Sequence, residues 1–251
     1  MLLKLALVPA AVWAASLAAR RWGHAASGYL GGLPLIGGPI TFYLALDHGV
    51  AFAAQSATFT LAAILGQSAH LLAFAGVARG ARWPAALACG WAAYAVVSLA
   101  VVGLAPSPPA ALGLALAGLA AAGLGLPRPQ GAAPRPAIPA VELRLRLGAA
   151  LLLAVVILWS APVFGPVVSG LLLSVPVTGS IVPPFTLALY GPGALARLMR
   201  GFVAGLTGFA AFFFIVAAGI EAWGLAVFIP AIAAAPAAVF AARHLASRDL
   251  G

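Results

Sequence analysis

The sequence predicts an all-α fold, a polytopic membrane helix bundle. Three observations lead there: 64% of the 251 residues are hydrophobic, only 7% are charged, and those few charges fall between long apolar blocks. A soluble domain carries about 25% charged residues, so this surface could not be solvated by water. Mean hydropathy of +1.13 excludes disorder through low hydrophobicity. The formal charge of +9 and pI near 11.4 would point to nucleic acid in a soluble chain. Here 13 scattered Lys and Arg read as topology signals instead, and no nucleic-acid partner is expected.

A spanning helix needs about 20 apolar residues. Nine blocks qualify, at 2–19, 25–46, 50–77, 83–105, 110–127, 147–163, 165–190, 201–220 and 223–243. The first reads as a retained span, because Arg20 and Arg21 directly after it disfavour signal-peptide cleavage. The second and seventh are rich in Gly and Pro, and the third carries most of the polar side chains. The fourth starts after Arg82-Trp83-Pro84, and the fifth, Ala110 to Leu126, is short and glycine-rich. Between Pro127 and Arg146 lies the longest connection, with Gln130 and four Arg.

Charge placement supports counting the fifth block as a crossing. With nine crossings, the loops after odd-numbered spans hold Arg20, Arg21, Arg79, Arg82, Arg128, Arg135, Arg144, Arg146, Arg197, Arg200, Arg243 and Arg248, against Lys4 alone on the other side. Retention of Lys and Arg on the cytoplasmic face then puts the N-terminus outside and the C-terminus inside.

Sliding the chain on itself in one fixed register aligns Ser27, Gly28, Pro34, Gly37, Gly49 and Gly66 with Ser169, Gly170, Pro176, Gly179, Gly191 and Gly208. The expected organisation is a four-helix repeat over 1–105, a linking helix at 106–127, a cytoplasmic linker at 128–146, a second four-helix repeat over 147–243 and a cytoplasmic tail at 244–251. Five spans precede the second repeat, so the two repeats would be inverted. Inverted repeats are a transporter architecture with substrate held at the repeat interface.

Spans two and seven should be broken helices. Proline removes a backbone donor and glycine weakens helix propagation, so each segment frees carbonyls and amides that lipid cannot satisfy. Paired interruptions at matching positions point to a transport site. The expected substrate contacts are the backbone of Gly37, Gly38, Gly179 and Ser180 and the side chains of Thr41, Thr178, Gln55, Gln67 and His70. Arg197 and Arg200 would form a cytoplasmic anion funnel or, equally, snorkelling anchors. No Ser/His, paired acidic or metal constellation supports an enzyme. The single Cys89, with no Cys/His cluster, implies no disulfide, metal or other cofactor.

The stretch Gly32-Leu33-Pro34-Leu35, Pro39-Ile40-Thr41-Phe42, Asp47-His48-Gly49, Gln55-Ser56-Ala57-Thr58 and Arg82-Trp83-Pro84-Ala85-Ala86 resembles the GlpM-type small bacterial inner-membrane proteins. The likeness covers residues 1 to 105, with 143 to 243 a diverged copy, and this chain departs from that family by being doubled and by adding span five. The resemblance implies a four-helix unit in a bacterial inner membrane. It also implies an association with exopolysaccharide production, without an assigned activity. The expectation is therefore a multi-pass carrier or facilitator for a small-molecule or lipid-linked substrate, with an anionic one favoured by the arginines and a homo-oligomer left open. The alternative is a non-transporting membrane scaffold for envelope polysaccharide synthesis.

Overall fold

The structure is a computed structural model that describes the backbone over residues 2–129 and 139–248. Gln130 and Arg135 of the expected linker, and the tail beyond Arg248, lie outside the described residues. All regular structure among the described residues is helical: α1 (Leu2–Gly32), α2 (Gly37–His48), α3 (Val50–Ala62), α4 (Ile64–Val77), α5 (Trp83–Leu104), α6 (Pro108–Gly125), α7 (Ala140–Leu173), α8 (Val177–Trp223) and, after a 3-10 turn at Gly224–Val227, α9 (Phe228–Arg248).

Five helical stretches are long and apolar enough to cross a membrane: Arg21–His48, Val50–Val77, Trp83–Leu104, Pro108–Gly125 and Ala140–His244. The last holds 105 residues and would be roughly 160 Å long if straight, about five times the hydrocarbon thickness of a bilayer. It is subdivided at Gly165, at residues 174–176, at Gly191 and at Gly224. The outer surface supports a bilayer as the solvent: Val96, Leu99, Leu124, Trp159, Ile229 and Phe240 are all well exposed, a density of apolar surface that water would not tolerate.

Helix ends follow local chemistry. Pro84 and Pro108 sit in the first turns of α5 and α6, where a missing N–H costs nothing. The sharper corners are single glycines. Gly23 (φ 90°, ψ −176°) and Gly165 (φ 73°, ψ −175°) interrupt α1 and α7, while Gly49 (φ 89°, ψ 167°) and Gly191 (φ 75°, ψ −174°) follow α2 and interrupt α8. Only glycine enters this backbone region readily. Gly23 pairs with Gly165, and Gly49 with Gly191, in the same register that sets Gly28 on Gly170.

Several boundaries differ from the sequence expectation; α9, for one, runs from Phe228 to Arg248 where the last span was expected over 223–243 and a tail from 244. The helix after Gly191 begins well before the expected start of span eight, because Ala, Leu, Arg and Met at 194–200 are good helix formers that a hydropathy scan cuts at the arginines. Residues 140–146 of the expected linker are the first two turns of α7, started by Pro139. Span three is two helices, α3 and α4, separated at Ala63.

The core is one large cluster around α3, α4 and α8, with Phe74, Leu198, Met199, Phe212, Phe213 and Ile220 essentially inaccessible. A smaller cluster of Ile40, Leu44, Ala150, Leu153, Ala154, Ile157, Ala161 and Leu173 joins α2 to α7. The closest crossing sets the 24–32 arm of α1 on α8. A Cβ on Gly28 would collide with the Leu198 carbonyl oxygen and sit 2.8 Å from Gly201 Cα, and one on Gly32 would sit 2.8 Å from Gly205 Cα. Gly28/Gly32 and Gly201/Gly205 are two small-xxx-small pairs facing each other. The same contact recurs with partners exchanged: a Cβ on Gly170 would collide with the Ser56 carbonyl oxygen and sit 2.8 Å from Phe59 Cβ. In the repeat register Gly170 is the counterpart of Gly28, and Ser56 and Phe59 are the counterparts of Leu198 and Gly201.

Gly28→Val is expected to lower stability by the upper end of about 1–3 kcal/mol or more, since backbone cannot yield. Gly113→Ala, whose Cβ enters open space on α6, is expected to be neutral or to gain up to about 1 kcal/mol. Thermal unfolding of the two purified variants in the same detergent checks both.

Candidate functional site

The two helix interruptions share one backbone geometry. Pro34 and Pro176 each sit at the centre of a tight turn, with Leu35 N donating to Leu33 O at 2.8 Å and Val177 N to Val175 O at 2.7 Å. Pro176, at φ −76° and ψ 58°, has the inverse γ-turn conformation. Helix resumes through Gly38 N to Pro34 O and Ser180 N to Pro176 O, both 2.8 Å. Each donor and acceptor in the first break is matched, in the repeat register, by its counterpart in the second. A helix start leaves its first amides without intrahelical acceptors. Here those are Ile36 and Gly37 in one break and Thr178 and Gly179 in the other, none with a backbone acceptor among the described residues.

All four residues line a single cavity of about 80 Å³, with room for on the order of five water molecules. Its wall includes Gln67 and His70 from α4, Arg146 from α7, Ser16 and Ser27 from α1, and Phe202, Leu206 and Phe209 from α8. Carbonyls on both sides of the second break receive side-chain donors. Gln67 Nε2 donates to Ser174 O at 2.6 Å, Tyr94 Oη donates to Leu171 O at 2.9 Å and lies 2.8 Å from Ser174 Oγ, and His70 Nε2 is 3.3 Å from Gly179 O. His70 is fully buried, and a Cβ at Gly90 would come within 2.9 Å of its Nδ1, so the ring is clamped between Gly90 and Gly179. The repeat counterparts of Gln67 and His70 are Phe209 and Phe212. Phe209 is in the cavity wall and Phe212 is not.

Of the residues expected from sequence to form the site, Gly37, Gln67, His70, Thr178 and Gly179 meet at the cavity. Others lie elsewhere. Gly38 is buried with its Cβ position 3.3 Å from Phe212 Cζ. The hydroxyls of Thr41 and Ser180 return to their own helices, onto Gly37 O at 2.8 Å and Pro176 O at 2.7 Å. Gln55 is exposed near the start of α3. Arg200 donates through Nε to Pro127 O at 3.0 Å and through Nη2 to Leu126 O at 2.8 Å, which clamps the C-terminal end of α6. Arg197, half-buried, lies one turn earlier on α8 and is not in the cavity wall.

Sequence reasoning missed Arg146 and Glu142. They form a buried ion pair, 7% and 5% exposed, and Arg146 reaches the cavity. The available signal was Glu142 one helical turn ahead of Arg146 and just after Pro139, the spacing of a helical ion pair in a first turn. Among the described residues no group of three His, Cys, Asp or Glu is arranged to hold a metal ion.

Fold and site together define a helical membrane protein with a polar cavity between two interrupted helices. Neither a family model, nor a curated protein, nor a solved structure matches this chain.

Gln67→Leu is expected to cost about 1–3 kcal/mol, because the buried Ser174 carbonyl loses its side-chain donor. Tyr94→Phe, which leaves Ser174 Oγ still bonded to Leu171 O at 2.7 Å, is expected to cost about 1 kcal/mol. Chemical unfolding of each variant in mixed micelles reads the difference.

Proposed function

We propose that the protein is a carrier or facilitator of an inner membrane, built from two inverted four-helix repeats joined by α6, with substrate held in the cavity between its two interrupted helices. The observation that carries this reading is the convergence of both breaks, with four amides that have no backbone acceptor among the described residues, on one partly polar space. Irregular backbone at membrane depth is tolerated only where protein covers it or water reaches it. Discontinuous helices meeting at the interface of inverted repeats are the usual form of a carrier site.

Three further observations support the duplication behind it. The glycine corners recur in a single register, the two breaks repeat each other's hydrogen bonds in that register, and the Gly28–Leu198 approach recurs as Gly170–Ser56. Exchange of partners between two such contacts is what a twofold axis produces. In this reading, loss of the polar pair in the second copy leaves Phe209 where Gln67 stands in the first, and the cavity has both polar and apolar lining. Arg200 acts as a clamp on α6 rather than as part of a funnel.

The test is solvent access. Single cysteines at Gln67 and Thr178, in a Cys89→Ser background, are treated with a membrane-impermeant thiol reagent from each side of oriented vesicles. A carrier is expected to label from both sides, with a cysteine at the lipid-facing Leu124 staying unlabelled. A cavity sealed from both sides would contradict the carrier and favour a packed scaffold.

A further inference from the structure

We propose that the protein holds the phosphodiester headgroup of an anionic phospholipid, in a pocket where the ends of α4 and α6 meet the Gly191 corner of α8, with Arg79 and Arg128 as its ligands. This site is separate from the cavity between the breaks and does not depend on the carrier reading.

The pocket measures about 210 Å³, room for on the order of a dozen waters. Its wall combines the two arginines with small and apolar residues, among them Ala75 and Ala78 near the end of α4, Pro127 just past α6 and Leu195 on α8. Both arginines are exposed, and neither makes a hydrogen bond or ion pair among the described residues. The ordinary task of a cation just past a helix is to bond the last carbonyls. At both helices other groups perform it. Ala78 N donates to Phe74 O at 2.9 Å, and Gly80 N and Ala81 N donate to Val77 O at 3.1 and 3.0 Å. At α6 Arg200 donates to Leu126 O and Pro127 O, which also fixes the backbone from which Arg128 projects. Two guanidiniums from separate elements therefore meet one pocket with their donors uncommitted.

The charge balance there stays positive when every element is counted. The C-terminal ends of α4 and α6 each bring about half a negative charge, so together they offset one arginine at most, and Arg200 adds a cation at one of them. Carboxylates are remote. Asp47 lies beyond the opposite end of Val50–Val77, and Glu221 near the opposite end of the α8 arm that starts at Pro192, each roughly 40 Å along its helix. Glu142 is buried against Arg146, and Asp249 lies outside the described residues.

Depth selects the source of the phosphate. Val50–Val77 and Pro108–Gly125 are long and apolar enough to cross a bilayer, so residues 79 and 128, just beyond their ends, fall at headgroup level. Leu124, 89% exposed near the end of α6, offers acyl chains an apolar surface beside the pocket. Guanidinium matches phosphate oxygens in a bidentate fork, and basic pockets between spanning helices are a recurrent headgroup site. A zwitterionic lipid would bring its own ammonium group to a pocket that is already positive.

The full chain, purified in a neutral detergent, is titrated with short-chain phosphatidylglycerol and, as controls, with phosphatidylcholine of the same chain length, glycerol phosphate and inorganic phosphate. Native mass spectrometry counts bound lipid while the melting temperature is followed. Phosphatidylglycerol is expected to bind saturably and about tenfold more tightly than phosphatidylcholine. Arg79→Gln and Arg128→Gln are each expected to weaken it about fivefold, and the double variant about thirtyfold. Arg82→Gln removes an equal charge close in sequence but outside the pocket wall, and is expected to change binding by less than about twofold. All three side chains are exposed, so the lipid-free melting temperature should not move.

Equal binding of phosphatidylcholine, or unchanged binding of phosphatidylglycerol by the double variant, overturns the proposal. Equal affinity for glycerol phosphate or inorganic phosphate overturns the lipid assignment in favour of a soluble phosphate. A loss in Arg82→Gln as large as in Arg79→Gln overturns the pocket in favour of diffuse surface charge.

Discussion

A peptide group inside a bilayer has no water to bond with, and this governs the molecule. Each interruption opens a helix where hydrocarbon would leave amides and carbonyls stranded at a cost of several kcal/mol apiece. The surrounding structure is arranged to meet that cost. At the second break Gln67, His70 and Tyr94 bring side-chain donors to the carbonyls of Ser174, Gly179 and Leu171. At the first break the neighbours of Gly37 and Gly38 are aromatic rings, Phe209, Phe212 and Phe213, which satisfy nothing. Ile36, Gly37, Thr178 and Gly179 of the two breaks line the same small space, and a partly polar cavity in an otherwise apolar bundle is the consequence.

Close approach is what allows the breaks to share a cavity. The 24–32 arm of α1 touches α8 backbone to backbone through Gly28, Gly32, Gly201 and Gly205, and Gly170 makes the equivalent approach to α3. Helices cannot come this near through larger side chains. The one-residue corners at Gly23, Gly49, Gly165 and Gly191 then redirect the chain without loops, which avoids further unpaired backbone. Glycine serves two unrelated purposes here, access to a positive φ at the corners and absence of volume at the crossings.

Much of this was legible in the sequence, and the reasons are physical. Apolar blocks bounded by charges and prolines located most helices to within a few residues, because the bilayer imposes both length and hydrophobicity. The Gly/Pro runs located both breaks, since proline's missing N–H acts locally whatever the tertiary context. Gln67, His70 and Thr178 were found because a polar side chain in an apolar span has few other uses. Arg146 was missed because a cation beside a linker reads as a topology signal, and only the fold shows α7 beginning early enough to bury it. The partner of Arg200 was missed for a related reason: charges were read as the boundary of a span, whereas the carbonyls of Leu126 and Pro127, just past α6, accept from its guanidinium. Gly23 and Gly165 carry the same register, four residues ahead of the matched Ser27 and Ser169, but in sequence a corner glycine looks no different from a packing glycine.

The central claim is that the two halves are inverted about the shared cavity, and α6 is the element on which this turns. Single cysteines at Ser107 and Gln130, flanking α6, in a Cys89→Ser background and labelled in intact and in permeabilised cells, test it directly. The account requires Ser107 to label from outside and Gln130 only after permeabilisation. Labelling of both from the same side would make the halves parallel and contradict it.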